Sequence, residues 1–113
     1  MERKKVLIID DETDLCLLLK SYFLRREYIV HISHSLREGL TALEQEQPDI
    51  LFLDNNLPDG TGWNLAPEIA SRFPQLQINL ISAYHPDPAS LDSQRVKIIE
   101  KPISFTDLDQ LFF

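Results

Sequence analysis

Short apolar runs alternate along this chain with segments whose apolar residues recur at helical spacing, and that alternation restricts the fold more than any other feature. Val6-Leu7-Ile8-Ile9 is rich in β-branched residues and ends in Asp10-Asp11. Leu15, Leu18, Leu19 and Tyr22 follow at helical spacing, with Thr13 the expected N-cap. Tyr28 to Ser33 reads as a second strand. Ser35-Leu36-Arg37-Glu38 has the form of a capping box; Leu36, Leu40 and Leu43 share a face of the helix it opens, and Pro48 stops that helix. Ile50-Leu51-Phe52-Leu53 is apolar on both faces and ends at Asp54, as expected of a parallel strand covered by helices on both sides.

A turn-rich stretch from Asn55 to Gly62 leads into a third helix reaching about Phe73. Pro67 lacks the N–H of an interior helical position, so this helix either starts late, capped by Asn64, or is kinked. Leu76 to Ile81 and Val96 to Ile99 make the fourth and fifth strands. Ser104-Phe105-Thr106-Asp107 then opens a last helix carrying Phe105, Leu108, Leu111 and Phe112. Strands alternating with helices predict right-handed βαβ crossovers and a parallel sheet. At 113 residues the chain fits one domain, spanning 1–113.

Charge and composition narrow the function classes. The net charge of −7 disfavours a nucleic-acid partner, which would require a basic face. No apolar run approaches the roughly 20 residues of a membrane span, and Met1-Glu2-Arg3-Lys4-Lys5 lacks the apolar core of a signal peptide. Cys16 has no partner for an internal disulfide and falls in an apolar helical pattern, which predicts a buried, inert thiol. A reducing, cytoplasmic setting is the default expectation. His31, His34 and His85 lack zinc-site spacing and are read as non-ligands, and Trp63, Phe112 and Phe113 as packing residues.

The residues that close the strands carry the chemical signal. Strand one ends in Asp10-Asp11, strand three in Asp54, strand four in Ser82, and strand five just before Lys101. In an open parallel sheet the carboxyl ends of the strands line one edge, so these side chains are expected in one pocket. Crowded carboxylates repel, and a hard divalent cation such as Mg²⁺ relieves them. Metal and ammonium opposite an aspartate suit phosphoryl transfer, with the carboxylate as nucleophile. Taken singly, each residue also has a plain structural role: a helix cap for Asp-Asp, turn chemistry around Asp54, a satisfied hydroxyl, a solvated lysine.

The ordered set Asp10-Asp11, Asp54 to Gly62, Ser82-Ala83 and Lys101-Pro102 resembles the receiver domain of two-component response regulators, over nearly the whole chain. The resemblance implies a flavodoxin-like (βα)5 three-layer α/β fold with a five-stranded sheet of order 2-1-3-4-5. It implies that Asp54 accepts a phosphoryl group from a sensor histidine kinase or phosphotransfer protein, and that Asp10, Asp11, Asp54 and the Asn56 carbonyl hold Mg²⁺. Ser82 and Lys101 would hold phosphoryl oxygens, and Asn56 and Tyr84 would border the path of the attacking water. The Lys101-Pro102 bond is often cis in this family. Such a domain is no enzyme beyond promoting its own phosphorylation and hydrolysis. An output domain or a second copy are the further partners it implies, with no direct nucleic-acid or membrane contact.

Two departures stand out. Ile98 occupies the place where receivers carry a Tyr or Phe that reports phosphorylation to the surface. The segment between Ser82 and Lys101 is short and contains Pro86 and Pro88, so a short, displaced or missing fourth helix is expected there. These departures favour an alternative, a pseudo-receiver that binds partners without phosphorylation. A haloacid dehalogenase-type phosphatase shares the residue types, but places its nucleophile early and its acidic pair late, the reverse of this order. Whether the chain is cut from a longer regulator or is naturally minimal stays open.

Overall fold

The computed structural model describes residues 3–83 and 96–112. Strands β1 (Lys5–Ile9), β2 (Ile29–Ser33), β3 (Ile50–Asp54), β4 (Gln77–Ser82) and β5 (Val96–Glu100) form one sheet in the order β2-β1-β3-β4-β5. Every neighbouring pair is parallel. Helices α1 (Thr13–Arg25), α2 (Leu36–Glu46), α3 (Ala66–Arg72) and α4 (Phe105–Phe112) complete the described elements. This is the expected flavodoxin-like three-layer α/β fold.

Alternation along each strand divides the core in two. Val6, Ile8, Phe52, Ile81 and Ile99 pack with Leu19, Tyr22 and Phe23 of α1 and Leu108 of α4. Leu7, Ile9, Leu51, Leu53 and Leu80 pack with Leu36 and Leu43 of α2 and Ile69 of α3. All five residues of β3 are buried, because a central strand has helices over both faces. Phe112 joins the first layer edge-on to Phe23, and Trp63 packs on the second. Tyr22 Oη donates to Asp109 Oδ1 at 2.5 Å, and the Arg26 guanidinium lies 3.7 Å over the Tyr22 ring while pairing with the same carboxylate at 3.0 Å. These contacts tie α1 to α4.

The helix ends depart from expectation in informative ways. Thr13 is the first residue of α1 rather than its cap; Glu12 sits at the N-cap and makes no side-chain cap bond. Asp10 Oδ1 instead accepts the Glu12 amide at 2.8 Å and so sets the entry into the helix. At α2, Ser35 Oγ accepts the Glu38 amide at 3.2 Å as a capping residue should. Asp59, from the loop after β3, adds acceptors for the Leu36 and Arg37 amides at 2.8 and 3.0 Å. Gln47, in the left-handed conformation at φ 47°, closes α2 ahead of Pro48.

The third helix starts late: a 3-10 turn (Gly62–Leu65) precedes it, and Pro67 falls in its first turn, where its missing N–H costs little. Asn64 does not cap it, since its Nδ2 donates to Thr61 Oγ1 at 2.6 Å. In α4, Ser104 and Asp107 cap each other reciprocally, amide to side chain, at 2.9 and 3.1 Å. The segment where a short, displaced or missing fourth helix is expected, with Tyr84 and His85, lies outside the described residues.

Candidate functional site

The chain runs from β1 outward to β2 and then back across β1 to β3, so the strand order reverses between β1 and β3. Crossovers on opposite faces part at that point and leave a crevice outside the strand ends. Asp10 follows β1 directly, Asp54 and Ser82 are the last residues of β3 and β4, and Lys101 follows β5. A cleft of about 600 Å³ opens there, lined among others by Asp11, Asp54, Asn56, Ser82 and Lys101. Asp10 is fully buried beneath it, and Asp54 and Ser82 are nearly so.

Several backbone contacts hold this arrangement. The Lys101 amide donates to the Ser82 carbonyl at 2.8 Å, which ties the end of β5 to β4, and the Lys101-Pro102 bond is cis. The Asp10 amide donates to the Ser33 carbonyl at 3.0 Å, and its own carbonyl accepts from Cys16 Sγ and His34 Nδ1. His34 is thus spent on the backbone, and His31 Nε2 faces Glu46 Oε1 at 3.2 Å. After β3, the Gly62 amide donates to the Asn55 carbonyl, and a Cβ at Gly62 would collide with the Asp54 carbonyl oxygen. The chain passes so close to the strand end that glycine is required.

Carboxylate oxygens of Asp10, Asp11 and Asp54 lie within 4.8 Å of one another. Lys101 Nζ is 3.4 Å from Asp54 Oδ1 and 3.5 Å from Asp10 Oδ2, and it donates to Glu12 Oε2 at 2.8 Å. Burial pushes Asp10 up to about 6, against the pull of the Glu12 amide and the Lys101 charge, with Asp54 adding to the rise. Burial likewise raises Asp54, opposed by Lys101 and the Asn56 amide. Burial works to lower Lys101, but the Glu12 hydrogen bond and the Asp10 and Asp54 charges outweigh it and hold the ammonium above the ordinary lysine range. Burial raises the Cys16 thiol to about 11, so it stays protonated at neutral pH.

Among the described residues one ammonium therefore serves a cluster with more negative than positive charge. Among the described residues Asp10 Oδ2 is buried with no hydrogen bond and only the 3.5 Å ion pair to Lys101, an exception among buried polar atoms that leaves room for a further positive partner. A divalent cation with hard-oxygen preference matches this donor set. Three carboxylates from two segments far apart in sequence converge with a lysine and a hydroxyl on one crevice, in the order and spacing that the sequence motifs carry.

Residues 6–112 match the response regulator receiver domain. The chain belongs to that family. The receiver is 33% identical to the response regulator protein PilR of Pseudomonas aeruginosa over 118 residues, which cover 98% of this chain and 26% of PilR. It is 24% identical to the regulatory protein AtoC of Escherichia coli, over 95% of this chain and 23% of AtoC. The receiver thus spans less than a third of the length of these relatives. Among solved structures, a two-component response regulator from Clostridium difficile superposes with a TM-score of 0.85 at 24% identity, over 96% of this chain and 92% of that one. The response regulator TrrA from Thermotoga maritima, in complex with Mg²⁺-BeF, superposes with a TM-score of 0.82 at 26% identity, over 96% of this chain and 95% of that one.

Receivers are signalling domains rather than enzymes in the ordinary sense. No helix among the described residues is long and apolar enough to cross a membrane. Two contributors to the site escaped the sequence reading. Glu12 was legible as the third acid of an Asp-Asp-Glu run, but its pairing with Lys101 needed the fold. Asp59, which clamps the loop after β3 onto α2, looks like ordinary turn chemistry in sequence.

Proposed function

We propose that this receiver is the phosphoacceptor of a two-component system and that Asp54 takes the phosphoryl group in a Mg²⁺-dependent reaction. The single observation that carries it is the approach of the Asp10, Asp11 and Asp54 carboxylates to within 4.8 Å, with the Lys101 ammonium 3.4 Å from Asp54. TrrA, which shares the fold, binds Mg²⁺-BeF. Asp10, Asp11, Asp54 and the Asn56 carbonyl would hold the cation, Asp10 largely through water. Bound there, Mg²⁺ would neutralise charge on the phosphoryl oxygens.

A carboxylate oxygen of Asp54 forms a bond to phosphorus as the bond from phosphorus to a donor histidine nitrogen breaks, and the departing imidazole keeps that electron pair and takes up a proton. Lys101 donates hydrogen bonds to the phosphoryl oxygens, and the Ser82 hydroxyl, at the tip of β4, does the same from the other side. Asn56, which lines the cleft, borders the approach of the water that later removes the group; the role that the resemblance gives Tyr84 lies outside the described residues. The donor is a sensor histidine kinase or phosphotransfer protein of the cytoplasm, and the signal passes to an output domain or a second copy.

Incubation with Mg²⁺ and acetyl phosphate should add one phosphoryl group by intact-mass measurement, and Asp54→Asn should remove that mass shift. Absence of metal-dependent labelling in the wild type would sink the proposal. Ile98, half-buried on the second core layer where a reporting aromatic is expected, favours a second reading, a phosphorylation-independent binding module. Partner binding that is equal with and without beryllofluoride would select it.

A further inference from the structure

Three carboxylates draw on the one Lys101 ammonium, and the shortest contact goes to the most exposed of them. Glu12 Oε2 is 2.8 Å from Nζ with a side chain 57% exposed, while the buried Asp54 and Asp10 stand at 3.4 and 3.5 Å. Among the described residues the Glu12 carboxylate has no other partner: its amide goes to Asp10, its carbonyl accepts from the Cys16 amide, and its side chain makes no cap bond to α1.

We propose that Glu12 is a positioning residue that draws the Lys101 ammonium toward the rim of the pocket and so weakens the pocket's hold on an anionic phosphoryl group. The inference rests on the phosphoacceptor reading of Asp54. A phosphoryl group at Asp54 competes with Glu12 for the same ammonium hydrogens, so the pair stabilises the unphosphorylated form selectively. The negative charge of Glu12 also faces the incoming anion, and this repulsion has the same sign. Because the carboxylate is solvent-exposed, the effect is modest, the size an exposed ion pair carries.

The test uses beryllofluoride as the phosphoryl mimic at saturating Mg²⁺, which removes any effect of Glu12 on cation affinity. Glu12→Gln should bind it about threefold more tightly than wild type. In a Lys101→Met background the same substitution should lose most of that gain, because the two residues act together. An equal gain in both backgrounds, or no gain at all, overturns the proposal.

A second readout needs neither metal nor phosphoryl group: in the chelated protein, NMR of the Lys101 ammonium should show faster hydrogen exchange in Glu12→Gln than in wild type. Unchanged exchange overturns the proposal on its own. Failure of the wild type to bind beryllofluoride would instead count against Asp54 as acceptor, while the exchange measurement still reads the grip of Glu12 on Lys101.

Discussion

Asp10 sits where its charge is least welcome. It is fully buried, and its carboxyl is pushed up to about 6 from an ordinary 3.8. A folded value above the unfolded one means the folded state holds the proton more tightly, so stability is lost as pH rises through about 6. In chelated buffer near pH 8, Asp10→Asn should therefore stabilise the domain by about 2–3 kcal/mol. That gain should shrink on acidification and vanish below about pH 3, where aspartate is protonated in both states. Urea unfolding at the two pH values checks it. Strand-end aspartates and their mutual repulsion were readable from the motif, but the larger cost of burial was not, because burial depends on which helices close over them. The same holds for Lys101, whose three carboxylate neighbours come from two different strand ends.

At the scale of elements, helix caps separate what local sequence encodes from what the fold imposes. Ser35 and Ser104 act as their neighbours predict, each with a partner three residues on. Asp59 does not: its carboxylate reaches the Leu36 and Arg37 amides from the loop after β3, and those amides hold it below the usual carboxylate range. A depressed folded value contributes stability above the unfolded one and loses it as pH falls through the folded one. Asp59→Asn should lower the melting temperature at neutral pH, and the gap to wild type should close as pH drops below about 4, followed by circular dichroism. Between α1 and α4, Tyr22→Phe removes the hydrogen bond to Asp109 and keeps the ring packing. It should cost about 1 kcal/mol in urea unfolding. Thr13, a good cap by composition, was displaced because Asp10 turns back onto the Glu12 amide.

For the molecule as a whole, the sequence was most legible where strands are buried on both faces. Ile50-Leu51-Phe52-Leu53 could be little else than a central parallel strand, and the order β2-β1-β3-β4-β5 followed from the family resemblance. Less legible were contacts between helices that the sheet brings together, such as Tyr22 with Asp109, 87 residues apart. The register of the sheet has its own consequence. Asp54 pairs with Ile81, and Ser82 with Glu100, in ladders where a one-residue slip would turn every side chain to the opposite face. An unfinished or misthreaded chain carries the same aspartate without the crevice, because only the completed ladder brings Asp54, Ser82 and Lys101 to one edge.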